Sequence, residues 1–230
     1  ALGWGVAEYV LAVMLLASKR AFWLADGVRN RGEWREGTDA FGGSFELFGA
    51  PVGLIGAGQS GQQLLRLLAP FQCRSLVYDP YVDDTVLEAH GTERVPTLEA
   101  LFEQCRVVSV HAPHNPETEH LIRGEHLRRL PRGAVFINAA RAGLVHEAEL
   151  LEALESEQFV ACVDVAGEEP IAVDHPLRKA PNVFFTPHIA GAIRENRFRM
   201  GRLVLEEVER FLDGERLRHE VTLNRLLHIA

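Results

Sequence analysis

Three polar residues that directly follow apolar segments could act together on a small molecule. Arg141 follows "VFINAA", Glu169 follows "VACVDVAGE" and His188 follows "VFFTP". Taken singly, each has an ordinary explanation as a surface cation, an acidic loop residue or a histidine at a proline turn. Together they supply a guanidinium fork for a carboxylate, an imidazole for proton transfer and an acid that orients the imidazole. We therefore predict acid–base chemistry on a small substrate.

The segment "VGLIGAGQSG" is the candidate binding element for a cofactor. In a dinucleotide-binding turn the first glycine permits the turn, the second lets the backbone approach the pyrophosphate, and the third lets the helix pack on the strand. Gly56, Gly58 and Gly61 occupy those places, and the helix predicted from Gln59 would direct its free N–H groups at the phosphates. A tight turn without a ligand is the alternative, and the surrounding strand, helix and acid disfavour it.

The acid in question is Asp79, at the end of the apolar segment "SLVYD". A carboxylate there would accept hydrogen bonds from the adenosine ribose hydroxyls and would repel a 2′-phosphate. Neither Pro80 nor Tyr81 offers a cation to bind such a phosphate. The sequence therefore favours NAD over NADP.

The elements that must position these residues form a pattern typical of α/β proteins. Buried strands are predicted at 52–56, 75–79, 107–113, 134–140, 159–165 and 183–186, and helices at 6–29, 59–69, 145–157 and 194–212. A connector rich in glycine and aromatic residues is predicted at 35–50. The alternation predicts a doubly wound, mostly parallel sheet (Rossmann-like) with helices on both faces and a C-terminal helical segment. Ligands of such sheets bind beyond the carboxyl ends of the strands, where Arg141, Glu169 and His188 fall.

Composition sets the broad class of the protein. The 230 residues are 47% hydrophobic, which is enough for one large domain, and the formal charge of −8 argues against a nucleic acid or anionic membrane partner. The apolar segment "VLAVMLLA" is too short to span a bilayer. The three cysteines, Cys73, Cys105 and Cys162, are isolated, which favours reduced thiols in a cytoplasmic protein over disulfides or a metal site.

Six motifs in order carry a family resemblance: "VGLIGAGQSG", "VYDP", "VVSVHAPHNPETEHLI", "INAARAGLV", "DVAGEEP" and "TPHIAG". The sequence resembles the D-isomer-specific 2-hydroxyacid dehydrogenases, a family that includes glycerate, D-lactate and phosphoglycerate dehydrogenases. The resemblance runs from Val6 to about residue 222. It implies an NAD-dependent oxidoreductase that transfers a hydride between nicotinamide and a small D-2-hydroxy acid or 2-keto acid.

The resemblance also implies roles for individual residues. Arg141 would hold the substrate carboxylate and polarise its keto oxygen, and His188 would donate and accept the proton with Glu169 bonded to its other ring nitrogen. Asp164 would face the nicotinamide carboxamide. The residues expected to contact the cofactor are Gly56, Gly58, Gln59, Ser60, Gly61, Asp79, His111, Ala112, Pro113, Ala139, Ala140, Asp164, His188 and Gly191.

The sequence departs from the family pattern at three positions near the expected cleft. Ala142 stands where the family usually has a glycine directly after the arginine, with Gly143 next. His146 replaces a common aspartate and is interpreted as a residue at a helix start, and His114 is interpreted as part of the cleft wall. The family also begins with a separate lobe of about a hundred residues that this sequence is expected to lack.

Two further expectations concern organisation. Residues 1–193 are predicted to form the dinucleotide-binding domain, and residues 194–230 a helix and tail that would pack on the absent lobe. A homodimer is predicted because the first helix and the connector carry many apolar side chains that would otherwise be exposed: Tyr9, Met14, Phe22, Trp23, Trp34, Phe41, Phe45 and Phe48.

Other functions stay open at this point. The same family includes transcriptional corepressors whose partner binding responds to dinucleotide, so an NAD-sensing interaction protein is an alternative by analogy. Phosphonate dehydrogenases keep an Arg, a Glu and a His and are a second alternative. Formate dehydrogenases have Gln where Glu169 stands, which counts against them.

Overall fold

The expected parallel sheet is present. The computed structural model describes residues 3–34 and 43–222, and in these residues the strands are Pro51–Ile55 (β1), Arg74–Tyr78 (β2), Glu93–Arg94 (β3), Val107–Val110 (β4), Ala134–Asn138 (β5), Phe159–Val163 (β6) and Val183–Phe185 (β7). Their order is β3-β2-β1-β4-β5-β6-β7, and every pair is parallel. The strand order reverses between β1 and β4, which makes the crevice beside β1 the place where a ligand of this fold binds.

Helices cover both faces of the sheet, as predicted for a doubly wound fold. They are Gly3–Ser18 (α1), Ala21–Asp26 (α2), Gln59–Leu68 (α3), Asp84–Glu88 (α4), Leu98–Gln104 (α5), Gly124–Leu127 (α6), Glu147–Leu154 (α7), Pro176–Lys179 (α8) and Arg194–Leu212 (α9). Side chains alternate along the strands, so that Leu54 packs in the core under α1 and α3 while Ile55 packs in the core under α5, α6 and α7. Both faces are therefore buried, which explains the continuous apolar strands.

The N-terminal helix differs from the prediction of one helix over 6–29. It bends after α1, where Arg20 adopts a left-handed conformation with φ of 57°, and it continues as α2 and a π-type turn over Gly27–Arg31. The cause is tertiary, because the fully buried guanidinium of Arg20 donates to the carbonyl of Gly133, 2.6 Å away, before β5. Gly32, with φ of 69°, ends the segment as predicted.

The prediction that apolar side chains of the first helix and the connector are exposed is largely wrong. Met14, Trp23 and Phe45 are buried in the domain's own core, and Phe22 stacks on Phe184 with 3.6 Å between ring centroids. The prediction failed because an apolar side chain in α1, α2 or the connector can face either the domain's own core or the solvent, and the sequence does not tell which. Of the remaining predicted residues, Tyr9 is half-buried, Trp34 and Phe48 are exposed, and Phe41 lies outside the described residues.

Helix α9 has the predicted bounds and ends before Gly214, which has φ of 69°. Its one buried residue is Asn196, and most of its apolar side chains are exposed: Phe198, Val204, Leu205, Val208, Phe211 and Leu212. None of the helices in the described parts of the chain is both long and apolar enough to cross a membrane.

The three cysteines are free thiols. Cys105 and Cys162 are buried, and burial raises the pKa of Cys105 to about 12. Within residues 3–34 and 43–222, no cluster of His, Cys, Asp and Glu side chains has an arrangement that could hold a metal ion. Cys105 and Cys162 belong to the two hydrophobic clusters of the core, and the half-buried Cys73 packs against one of them.

Candidate active site

The glycine turn after β1 is built by close backbone approaches. Gly56 has φ of 92°, and a Cβ on it would lie 2.9 Å from the Cα of Ala112, on the strand-end loop of β4. A Cβ on Gly61 would lie 2.6 Å from the carbonyl oxygen of Gly56. Both positions need glycine, because a side chain would force the turn away from its neighbours.

Gly58 has a different environment. A Cβ there would meet no described atom within 4 Å, so this glycine faces open space at the start of α3. No side chain caps the N-terminus of α3, whose N-cap is Gly58. An open glycine beside an uncapped helix start fits the pyrophosphate of a dinucleotide, which would lie close to the backbone and accept its N–H groups.

Asp79 lies one residue beyond β2 and is held by backbone donors. Its Oδ2 accepts from the N–H of Ala57 at 2.8 Å, and its Oδ1 accepts from Tyr81 at 2.8 Å and Val82 at 3.0 Å. Each oxygen of a carboxylate has two lone pairs, so Oδ2 keeps capacity for a ribose hydroxyl. The carboxylate is thus fixed beside the glycine turn.

Arg94, which the sequence analysis did not single out, is a cation beside Asp79. It donates to the backbone carbonyls of Asp79 and Val82 and forms an ion pair with Asp84 at 2.7 Å. It lies in the short edge strand β3, which lacks the apolar pattern of the other strands. The charge of Arg94 is already engaged by these acceptors.

His111 follows β4 and lies under the start of α3. Its ring nitrogens contact the hydroxyls of Ser109 at 3.0 Å and Ser60 at 3.2 Å, and the side chain is buried. Burial disfavours the charged imidazolium and lowers the pKa of His111 to about 4. A neutral His111 therefore links the β4 loop to the helix start.

The loop after β5 presents Arg141. The Asn138 side chain holds this loop, since its Nδ2 donates to the carbonyl of Arg141 at 3.0 Å and its Oδ1 accepts from Ala140 at 3.1 Å. Ala139 is buried beneath, and the Arg141 guanidinium is exposed. Among the described residues, this guanidinium is in no ion pair and donates only to the Ala140 carbonyl, at 2.7 Å. It is therefore available to an anionic ligand.

Asp164, after β6, organises the segment that carries His188. Its carboxylate accepts from the N–H groups of Ile189 at 2.9 Å and Ala190 at 2.8 Å, and also from the hydroxyl of Thr186. His188 itself has φ of 55°, a left-handed conformation that histidine adopts more readily than most residues. Gly191 follows on this segment, and a Cβ there would approach Val6 of α1 to 3.3 Å.

His188 and Glu169 form the expected pair. Nδ1 of His188 lies 2.7 Å from Oε2 of Glu169, whose Oε1 accepts from the N–H of Ala166 at 3.1 Å. The hydrogen bond with His188 lowers the pKa of Glu169, and the Ala166 bond, the His188 charge and the Arg141 guanidinium act in the same direction. The three residues singled out first are thus electrostatically coupled, and Nε2 of His188 makes no hydrogen bond to any residue that the structure describes.

A cavity of about 490 Å³ opens beside Arg141. It is lined by His114, Glu119, His120, Arg141, Ala142, Gly143, Val145, Glu147, Ala166 and Gly167. His114 lies in its wall, as predicted, and His146 is the N-cap of α7 as predicted, accepting from Glu149 N at 3.4 Å. Glu119 and His120 were missed, because nothing in their spacing relates them to Arg141.

These features define a Rossmann-like domain that carries a hydrogen-bonded His188–Glu169 pair on the loops beyond its strands. The family model for the D-isomer specific 2-hydroxyacid dehydrogenase, NAD binding domain, matches residues 11–190. The chain belongs to this family.

Relatives and solved structures agree with this assignment. The chain is 35% identical over 211 residues to a D-3-phosphoglycerate dehydrogenase of Methanocaldococcus jannaschii, covering 91% of this chain and 39% of the relative. It is 34% identical to a glyoxylate reductase of Korarchaeum cryptofilum, covering 91% of this chain and 63% of that protein. A solved formate dehydrogenase from Granulicella m. superposes with a TM-score of 0.83 at 28% identity, covering 99% of this chain and 61% of that structure. The chain thus spans less than two thirds of the length of these proteins.

Proposed function

We propose that the protein carrying this chain is an NAD-dependent oxidoreductase that interconverts a small D-2-hydroxy acid and its 2-keto acid. The observation that carries the proposal is the 2.7 Å contact between His188 and Glu169, together with the Arg141 guanidinium, which forms no ion pair within residues 3–34 and 43–222. A coenzyme site alone would fit many reactions. An oriented imidazole next to a free guanidinium suits a carbonyl that gains negative charge and then a proton.

In this proposal the glycine turn and the start of α3 bind the pyrophosphate, and Asp79 binds the adenosine ribose. The residues predicted around the coenzyme, from Gly56 to Gly191, lie in the first turn of α3 and in the segments that follow β1, β2, β4, β5, β6 and β7. NAD supplies or accepts the hydride when bound. His111 stays neutral beneath the helix start and therefore adds no positive charge to the phosphate site.

The remaining chemistry is assigned to the coupled side chains. Arg141 binds the substrate carboxylate and polarises the carbonyl oxygen, so it stabilises the charge that develops there. His188 donates its Nε2 proton to that oxygen in reduction and accepts it in oxidation. Glu169 binds the Nδ1 proton and thereby fixes which nitrogen faces the substrate.

We also propose an arrangement for the whole protein. Residues 1–193 form the coenzyme domain, and residues 194–230 pack on a further lobe that supplies more donors to the substrate. The exposed apolar side chains of α9 support this, because a solvated helix rarely exposes such a surface. We further propose a homodimer, supported by the exposed Trp34 and Phe48, and a cytoplasmic location, supported by free thiols.

The test is a panel of 2-keto acids assayed with NADH using the full-length protein, with phosphite and NAD as a separate arm for a phosphonate dehydrogenase. We expect turnover of at least one keto acid. His188→Asn should lower kcat by about 100-fold or more, because asparagine tolerates the left-handed conformation at this position but transfers no proton. Turnover unaffected by His188→Asn would contradict the proposal, and binding of NADH without turnover of any substrate would favour the NAD-sensing alternative.

A further inference from the structure

The turn after Arg141 is held from two sides by the loop that follows β4. On one side, the N–H of His120 donates to the carbonyl of Gly143 at 2.7 Å. On the other, the His114 imidazole lies against Gly143, so that a Cβ on this glycine would be 2.6 Å from Cε1 of His114. Gly143 is therefore enclosed between a backbone donor and an aromatic ring.

Glu119 fixes the imidazole of His114 in that place. The Glu119 carboxylate bonds Nε2 of His114 through one oxygen, and its other oxygen lies 3.4 Å from Nε2 of His120. The hydrogen bond with His114 lowers the pKa of Glu119, so the carboxylate stays charged at neutral pH. The charged groups Arg141 and Glu147 line the same cavity from the β5 loop and from α7.

The direction of Arg141 depends on this turn. Residues Ala142–Leu144 form a single 3-10 turn, closed by the N–H of Val145 bonded to the Ala142 carbonyl at 3.0 Å. The guanidinium has no ion pair of its own among the described residues and donates only to Ala140. That one anchor lies on the same loop as the Arg141 backbone, so a shift of the turn moves both ends of the side chain and the group that would meet the substrate.

We infer that His114 is a positioning residue that, held by Glu119, braces Gly143 and so sets the place of Arg141 for substrate binding. This rests on the proposed function of Arg141 and deepens it. A residue that merely stabilised the fold would change the free energy of unfolding without changing the KM for the keto acid. A positioning residue changes the KM while the affinity for NADH stays as it is.

The experiment compares His114→Ala, His114→Gln and a control, His90→Ala, in the full-length protein, using the keto acid that the wild type turns over best. His114→Ala should raise the KM about tenfold with NADH affinity within about twofold. His114→Gln keeps a donor for Glu119 and a side chain over Gly143, and should restore the KM to near the wild-type value. His90 follows α4 and is not in the lining of the cavity, so its replacement should leave the KM unchanged.

A second measurement does not need turnover. Gly143→Ala should destabilise the wild type in urea unfolding and should have a clearly smaller effect in the His114→Ala background, because the closer of the two neighbours of the new Cβ, the His114 ring, is then gone and only Glu119 remains. Additive effects of the two substitutions, or an unchanged KM in His114→Ala, would overturn the inference. A wild type without activity on any keto acid would instead overturn the proposed function, and the unfolding cycle would still report on the contact.

Discussion

The carboxylate of Asp164 accepts a hydrogen bond from the backbone N–H of Ala190 at 2.8 Å, so a buried acid at the end of β6 holds the loop that contains His188. The same carboxylate accepts from Ile189 and Thr186. Three of its four lone pairs are thus engaged by one short segment. Whatever Asp164 contributes to nicotinamide binding, it also places the imidazole.

The first prediction follows from these three donors. Asp164→Asn should lower the free energy of unfolding by about 2 kcal/mol, because its amide NH₂ would face backbone N–H groups that need an acceptor. Urea unfolding measures this change. Asp174→Asn is the matched control, since Asp174 is exposed on the neighbouring loop, and it should stay within about 0.5 kcal/mol of the wild type. Equal losses of unfolding free energy in the two variants would contradict the role of Asp164 in holding the loop that contains His188.

The glycine turn gives a prediction that separates stability from binding. Gly61→Ala places a Cβ against the Gly56 carbonyl and should reduce both stability and NADH affinity, because α3 must move away from β1. Gly58→Ala places its Cβ in open space and should leave the unfolding midpoint unchanged. It should still weaken NADH binding by about tenfold, since the pyrophosphate needs that space. Fluorescence titration measures NADH affinity and urea unfolding measures stability. Equal losses of stability and of affinity in the two variants would contradict the assignment of Gly58 to the pyrophosphate site.

Much of the fold and the site could be predicted because their signals are local. Glycines at fixed spacing and apolar strands ending in polar residues place Asp79, Arg141 and His188 at one edge before any coordinates are known. Contacts that depend on the path of a loop could not be predicted. The bend at Arg20 depends on Gly133, which is 113 residues away in the sequence. Glu119 and His114 are only five residues apart, but their contact depends on the path of the loop after β4, and neither contact leaves a periodic trace in the sequence.

The third prediction concerns pH. His111 is neutral in the folded state down to about pH 4, whereas an unfolded histidine gains its proton near pH 6.5. The unfolded state therefore binds more protons between these values, and the contribution of His111 to stability is complete above pH 6.5 and is lost as the pH falls toward 4. At pH 5 the loss should be about 2 kcal/mol. Urea unfolding of wild type and His111→Asn at pH 7 and pH 5 measures it, and an equal pH dependence in the two proteins would refute the assignment.

The fourth prediction is a preference for NAD over NADP. Asp79 repels a 2′-phosphate, and Arg94 is held by Asp84 and by backbone carbonyls. Wild type should bind NADH at least about tenfold more tightly than NADPH. Asp79→Asn keeps an acceptor for Ala57 and removes the charge, so the ratio should shrink, whereas the nearby Asp83→Asn should preserve it. Equal affinities of the wild type for the two coenzymes would end this interpretation.

The last prediction tests the acid that orients the catalytic imidazole. Glu169→Gln removes the charge beside His188 and should lower kcat by about 100-fold, because a neutral amide neither stabilises the imidazolium nor fixes its tautomer. NADH affinity should stay within about twofold, since Glu169 is not among the residues predicted to contact the coenzyme. The adjacent Glu168 offers a matched control, being exposed on the same loop, and Glu168→Gln should keep wild-type kcat. Steady-state kinetics on the keto acid measure kcat for both variants. Similar losses of kcat in both would mean that the loop as a whole is sensitive to substitution. An unchanged kcat in Glu169→Gln would remove Glu169 from the mechanism.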